Sequence, residues 1–213
     1  MTKKLFAEFL GTFTLIFLGA GAIVSGKADL QGVAFAHGLA IFVMVSAFAG
    51  ISGAHFNPAV SAAMLATKRI DIKDFLYFVG AQFVGATVAS LLLNYIYGNS
   101  NGYGLPTIAS GTATSSGLLA EILGTTLLVF VIFGVAVDKR SVAASQPGLS
   151  IGLTITAVIL SVGPITGAAL NPARWFGPAL VSGDWSNSWV YIVGPIVGAV
   201  IAAFSYQAVA KPE

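Results

Sequence analysis

Cysteine is absent from the 213-residue sequence, so disulfide cross-links and thiolate chemistry play no part in it. Charge is scarce as well: Asp, Glu, Lys and Arg together make up 8% of residues, against 56% apolar types. A soluble domain of this size needs a polar shell, and such a composition cannot supply one. Histidine occurs only twice. No spacing of potential metal ligands and no nucleophile–base set is visible, which argues against an enzyme and gives no reason to expect a cofactor or metal. The slight positive balance sits in loops between apolar runs and needs no nucleic-acid partner to explain it.

What is present is a series of long apolar runs. Leu5–Val24, Val33–Ile51, Phe75–Ile96, Leu118–Val137, Leu149–Val162 and Trp189–Ala210 are nearly free of charge. A hydrocarbon core of ~30 Å takes ~20 helical residues to cross, so these runs predict six transmembrane helices in an all-α membrane protein. The fifth reads as shorter, with Pro147 and Pro164 at its ends. Cations order the connecting segments. Lys3, Lys4, Lys68, Arg69, Lys73, Lys139, Arg140 and Lys211 all fall on one side of six spans, whereas the first opposite loop has only Lys27 and residues 97–117 carry no charge. The positive-inside rule then predicts that both termini are cytoplasmic. The first run has no convincing cleavage site after it and reads as a retained helix. Its short flanks suggest a prokaryotic cell (inner) membrane.

The two halves of the chain carry one pattern. Ala7-Glu8 with Leu10-Gly11-Thr12 recurs as Ala120-Glu121 with Leu123-Gly124-Thr125. Asn57-Pro58-Ala59 recurs as Asn171-Pro172-Ala173, each after Gly-Ala, and Val79-Gly80 recurs as Val193-Gly194, all at nearly the same shift. Three spans per half is an odd number, so the second half enters from the opposite side and the repeat is inverted. The expected division is a first repeat over residues 1–97, an external connecting loop over 98–117 and a second repeat over 118–213. In each Asn-Pro-Ala, Asn suits a helix N-cap and Pro the first helical position. Helices over residues 58–67 and 172–181 would each be about 15 Å long, half a membrane. Entering from opposite faces, they would meet head to head. Their capping amides and the partial positive charges of their amino ends would hydrogen-bond water and repel cations.

Six spans, inverted halves, Ser-Gly-Ala-His-Phe-Asn-Pro-Ala-Val at 52–60 and Gly-Ala-Ala-Leu-Asn-Pro-Ala-Arg at 167–174 together resemble the aquaporin, or major intrinsic protein, family over essentially the whole chain. The resemblance implies six membrane helices with two re-entrant half-helices and a passive channel for water. It implies a central constriction at Asn57, Pro58, Ala59, Asn171, Pro172 and Ala173. It also implies a loop-bracing role for Glu8 and Glu121, with His55 bracing the first loop, and a homotetramer in the lipid bilayer with one pore per subunit.

For the outer constriction the resemblance points to His37, Ile159, Ala168 and Arg174, a set similar to plant vacuolar-membrane aquaporins. A filter lacking one bulky ring would be wider than a strict water filter, which brings ammonia, hydrogen peroxide and urea into view as further solutes. The alternative within the family is a glycerol or small-polyol facilitator, which carries Asp where this chain has Trp175; against that, Ile192 stands where water channels carry Trp. A proton-coupled secondary transporter is the rival from another class, with Glu8, Glu121 and His37 as its only titratable candidates. Gly194 and Gly198, at GxxxG spacing, predict close helix packing.

Overall fold

The computed structural model describes residues 1–210, so Lys211 and the last residues assigned to the second repeat lie outside it. Eight helices account for most of the described residues. Six are long and apolar enough to cross a membrane: α1 (Thr2–Val24), α2 (Leu30–Ser52), α4 (Ile72–Tyr97), α5 (Thr114–Val137), α6 (Pro147–Thr166) and α8 (Ser188–Val209). The two short ones are α3 (Pro58–Ala66) and α7 (Pro172–Ser182). At nine residues, α3 is about 14 Å long and cannot span a bilayer by itself.

The sequence explains where these helices begin. Asp29 and Asp71 cap α2 and α4 by accepting from the backbone N–H three residues on. Asn57 and Asn171 cap α3 and α7, each followed by Pro at the first position. One expectation needs correction. Pro164 does not end α6, which continues to Thr166 and is 20 residues long. Proline removes one backbone donor and disfavours helix at the residue before it, but here it falls two residues from the helix end, where Gly167 turns the chain at φ 77°. The connection between the halves is also shorter than expected, because α5 starts at Thr114. That connection folds back on the bundle: Ala109 donates to the Ile165 carbonyl, and Asn101 Nδ2 to that of Val24.

Packing repeats across the two halves. α1 lies against α4, and α5 against α8. Gly85 meets the backbone at Phe9 and Phe13, and Gly198 meets the backbone at Ile122 and Thr126, so the same small-residue contact serves both halves. The Gly194–Gly198 spacing therefore serves packing within the chain. Where the halves meet, α2 crosses α6 with Gly38 and Gly152 facing one another's carbonyl oxygens. Exposed Leu, Ile, Val and Phe side chains, such as Phe6, Leu39, Leu76, Leu127, Leu153 and Phe204, cover the outside of the bundle. In water they would be a liability; against lipid they need no partner.

Candidate functional site

The two half-helices are brought together by loops of unusual backbone. Ala54 and Phe56 before α3, and Ala168 and Leu170 before α7, all have φ between 45° and 53°. Left-handed backbone at non-glycine residues costs about 1–3 kcal/mol each and persists only when surrounding groups enforce it. The enforcing groups are two buried carboxylates. Glu8 Oε1 accepts from the Ser52 hydroxyl at 2.6 Å and the His55 N–H at 3.0 Å. Its Oε2 accepts from the Phe56 N–H at 2.7 Å and from Gln82 Nε2 at 2.8 Å. Glu121 repeats this with the Thr166 hydroxyl and the N–H groups of Ala169 and Leu170, at 2.7, 2.9 and 2.8 Å. Reversing φ at alternate residues turns consecutive N–H groups toward one side, where a single carboxylate collects both. Both glutamates are fully buried and engaged with loop donors.

The Asn side chains do two jobs. Asn57 Oδ1 accepts from the Ala59 N–H at 2.8 Å, and Asn171 Oδ1 from the N–H groups of Ala173 and Arg174 at 2.9 and 3.3 Å. Their amide nitrogens reach across: Asn57 Nδ2 donates to the Leu170 carbonyl at 2.8 Å, and Asn171 Nδ2 to that of Phe56 at 2.9 Å. The sequence leads one to expect these amides to be free to bond water. One hydrogen of each amide is instead committed to the opposite loop, which leaves one per side chain. Pro58, Ala59, Pro172 and Ala173 are buried as the first residues of the half-helices behind the asparagines.

A cavity of about 300 Å³ passes this point. Asn57 and Asn171 line it together with His37, Ile159, Ala168 and Arg174, and Arg69, Ala136 and Val137 border the same cavity. Much of the remaining wall is apolar, supplied by Ile41, Val45, Val60, Ile132, Ile151 and Ile155 among others. Polar groups are therefore concentrated at a few points of a largely apolar cavity wall. At one of them, Arg174 is 2% exposed to bulk solvent, and its Nη1 and Nη2 have no partner within the protein. Its Nε donates to His37 Nε2 at 3.1 Å. His55 also borders the cavity; its Nδ1 lies 3.0 Å from the Ser61 hydroxyl, and its ring meets Phe78 edge-on.

Three features escaped the sequence reading. Arg69 entered it only as a loop charge; it borders the cavity, with its guanidinium 5.0 Å above the Phe133 ring. The crossed amide bonds and the His37–Arg174 contact join residues far apart in the chain, which spacing alone does not reveal. The third lies beside Arg69. Asp138 there accepts from Arg140 and from the Tyr206 hydroxyl, and Arg140 Nη2 donates to the Ala210 carbonyl. The Arg140 side chain, then its backbone N–H and the Tyr206 hydroxyl, hold the Asp138 carboxyl well below the usual carboxylate range.

Comparison with known proteins agrees with this geometry. The sequence profile described as "Major intrinsic protein" matches residues 1–206. Aquaporin NIP1-1 of Zea mays is 44% identical over 210 residues, covering 96% of this chain and 74% of the relative. Glycerol uptake facilitator protein-like 6 of Lactiplantibacillus plantarum is 42% identical over 214 residues, covering 95% of each. The crystal structure of the aquaglyceroporin from Plasmodium falciparum superposes with a TM-score of 0.89 at 27% identity, covering 98% of this chain and 97% of that one. With the half-helices, the braced loops and the passage already in place, these matches leave one conclusion: the chain belongs to the major intrinsic protein family and is an aquaporin-family membrane channel.

Proposed function

We propose that the chain passively conducts water, together with small neutral solutes such as ammonia, hydrogen peroxide and urea, and excludes ions and protons. The observation that carries this reading is the single cavity bordered by both capping asparagines and by His37, Ile159, Ala168 and Arg174. Two helix amino ends and a guanidinium with unpartnered nitrogens supply positive potential and hydrogen-bond donors at separate stations. A water molecule can accept from these donors in turn, while a cation entering the low-dielectric passage meets repulsion at both. Ile159 and Ala168 are apolar and line the same cavity as Arg174, which supports a filter wider than one that passes water alone.

A glycerol or polyol facilitator is the second reading. An apolar wall beside a donor also suits a polyol, with carbons on one side and hydroxyls on the other, and the name of the Lactiplantibacillus relative points the same way. Trp175 favours water. It packs flat against Tyr191, with ring centroids 5.6 Å apart, directly after Arg174. Proton coupling finds less support, because Glu8 and Glu121 are occupied by loop donors. The basic loops support cytoplasmic termini, the apolar exterior suits a cell membrane, and membership of the family supports assembly as a homotetramer. Stopped-flow swelling of proteoliposomes in water, urea, ammonia, hydrogen peroxide and glycerol tests the reading. Fast water and ammonia with slow glycerol supports it; glycerol as fast as water favours the facilitator.

A further inference from the structure

A second cavity, of about 440 Å³, opens where the basic loops meet the end of α8, and Arg69 and Val137 border both it and the passage. Three cations (Arg69, Lys139 and Arg140) and one carboxylate, Asp138, line it, an excess of two positive charges. The carboxylate is already covered. Its Oδ1 accepts from the Arg140 N–H and Nε, and its Oδ2 from Arg140 Nη2 and the Tyr206 hydroxyl. These bonds, with one from Nη2 to the Ala210 carbonyl, hold the Arg140 side chain and leave Nη1 without a partner among the described residues. Arg69 is held as well. Its guanidinium rests 5.0 Å above the Phe133 ring, and its Nη1 donates to the Thr67 carbonyl at 3.3 Å. Phe133 also packs against Tyr206, with ring centroids 6.2 Å apart, so one aromatic group braces both walls. Among the described residues Lys139 has no ion pair or hydrogen-bond partner for its ammonium, and the Gln207 amide adds a neutral donor.

We propose that this cavity is a binding site for a phosphate group, as inorganic phosphate or a phosphate monoester, held beside the wall of the passage by Arg69, Lys139 and Arg140. Charge favours that class. A phosphate monoester carries about −1.5 to −2 at neutral pH, which matches the excess positive charge of the lining. Shape favours it too. The donors come from separate elements: Arg69 from the segment after α3, Lys139 and Arg140 from that after α5, and Gln207 from α8. A tetrahedral group with three terminal oxygens can meet donors from several sides, whereas a carboxylate has two oxygens in one plane. Guanidinium groups take phosphate oxygens in pairs, and an ammonium serves as a point charge. With Arg69 and Arg140 already held, less side-chain freedom is lost on binding. The same chemistry has two sources, a soluble phosphate and the phosphomonoester headgroup of a lipid. The site does not depend on which molecules the passage conducts.

The test titrates the full-length protein, in a detergent free of phosphorus, with sodium phosphate in a calorimeter at constant ionic strength and about pH 7.5, where phosphate is mainly dianionic. Wild type should bind saturably at one site per chain, and acetate should bind roughly tenfold more weakly or worse. Lys139→Gln and Arg69→Gln should each weaken phosphate by roughly fivefold or more, the loss of a charge-assisted contact. Lys139 is exposed, so its variant should elute from size-exclusion chromatography as wild type does. Lys73→Gln removes an exposed cation from the first turn of α4, outside the cavity, and should leave the affinity unchanged. Absence of saturable binding, or acetate as tight as phosphate, overturns the proposal. So does an equal loss in Lys73→Gln and Lys139→Gln, because diffuse attraction would then account for the binding. A second arm separates the sources in nanodiscs of matched surface charge. Phosphate binding weaker by roughly tenfold with phosphatidic acid than with phosphatidylglycerol assigns the site to a lipid headgroup; equal affinity in the two assigns it to a soluble phosphate.

Discussion

Asn57 and Asn171 each reach past the other's half-helix: Asn57 bonds the carbonyl of Leu170, the residue before Asn171, and Asn171 bonds the carbonyl of Phe56, the residue before Asn57. The two amino ends are thus stitched to one another as well as capped. Two crossing hydrogen bonds fix their separation and two capping bonds orient the amides, with donors and acceptors all buried.

Replacing Asn57 separates its two duties. Asn57→Ala loses the cap and the bond to Leu170, and should destabilise the protein by about 2 kcal/mol, read as a lowered unfolding temperature in detergent. Asn57→Asp keeps an acceptor for the Ala59 N–H, loses the amide donor and adds negative charge at two converging helix ends. Its expected signature is cation conductance in liposomes above that of wild type.

The carboxylates should behave as structural groups. Glu8→Ala strands the hydroxyl of Ser52, the N–H groups of His55 and Phe56 and one amide bond of Gln82, while Glu121→Ala strands one hydroxyl and two N–H groups. Each unsatisfied buried donor costs about 1–3 kcal/mol. Folded yield on size-exclusion chromatography should therefore fall in both, and further for Glu8→Ala. A well-folded Glu8→Ala protein that has lost only a dependence on proton gradient would point to a transporter.

Gly38 stands where the halves cross, and a Cβ there meets Thr156 Oγ1 and the Gly152 carbonyl. Gly38→Val should destabilise the fold by about 1–3 kcal/mol or more, because backbone on the facing helix has no rotamer with which to yield. The same change at Gly50, where a Cβ would meet open space, should cost far less. Paired thermal unfolding of the two variants measures the difference.

At the base of the bundle, the Asp138 carboxyl is held well below the usual range by Arg140. A lowered folded-state value means that its contribution is complete above the unfolded value of about 4 and disappears only as pH falls through the folded one. Between pH 8 and pH 5, hydrogen exchange of residues 138–146, corrected for intrinsic rates, should therefore stay constant. Asp138→Asn should speed that exchange across the whole range, because the ion pair with Arg140 is lost.

Much of this fold can be read from residue patterning, and the reasons are local. A repeated Asn-Pro announces a helix start through capping and φ alone, and an apolar run of sufficient length announces a span. Pro164 shows the limit of such reading: whether a proline ends a helix depends on how many turns remain, which here was settled by Gly167. Contacts between distant segments were less legible. Arg174 is legible through the family resemblance, but its hydrogen bond to His37 joins it to another helix, and nothing in the spacing predicts that contact. Arg69 is similar, since a cation after a half-helix reads as a loop charge until Phe133 and the cavity wall are seen beside it.

The central claim is that two half-helices and one arginine make a passage open to water and closed to charge. It is tested most directly by recording osmotic water flux and proton conductance on the same proteoliposomes, for wild type and Arg174→Ala. Wild type should carry water well above empty lipid with no added proton current, and Arg174→Ala should raise the proton current. A wild type that adds no water flux, or an arginine variant that is as proton-tight as wild type, would contradict it.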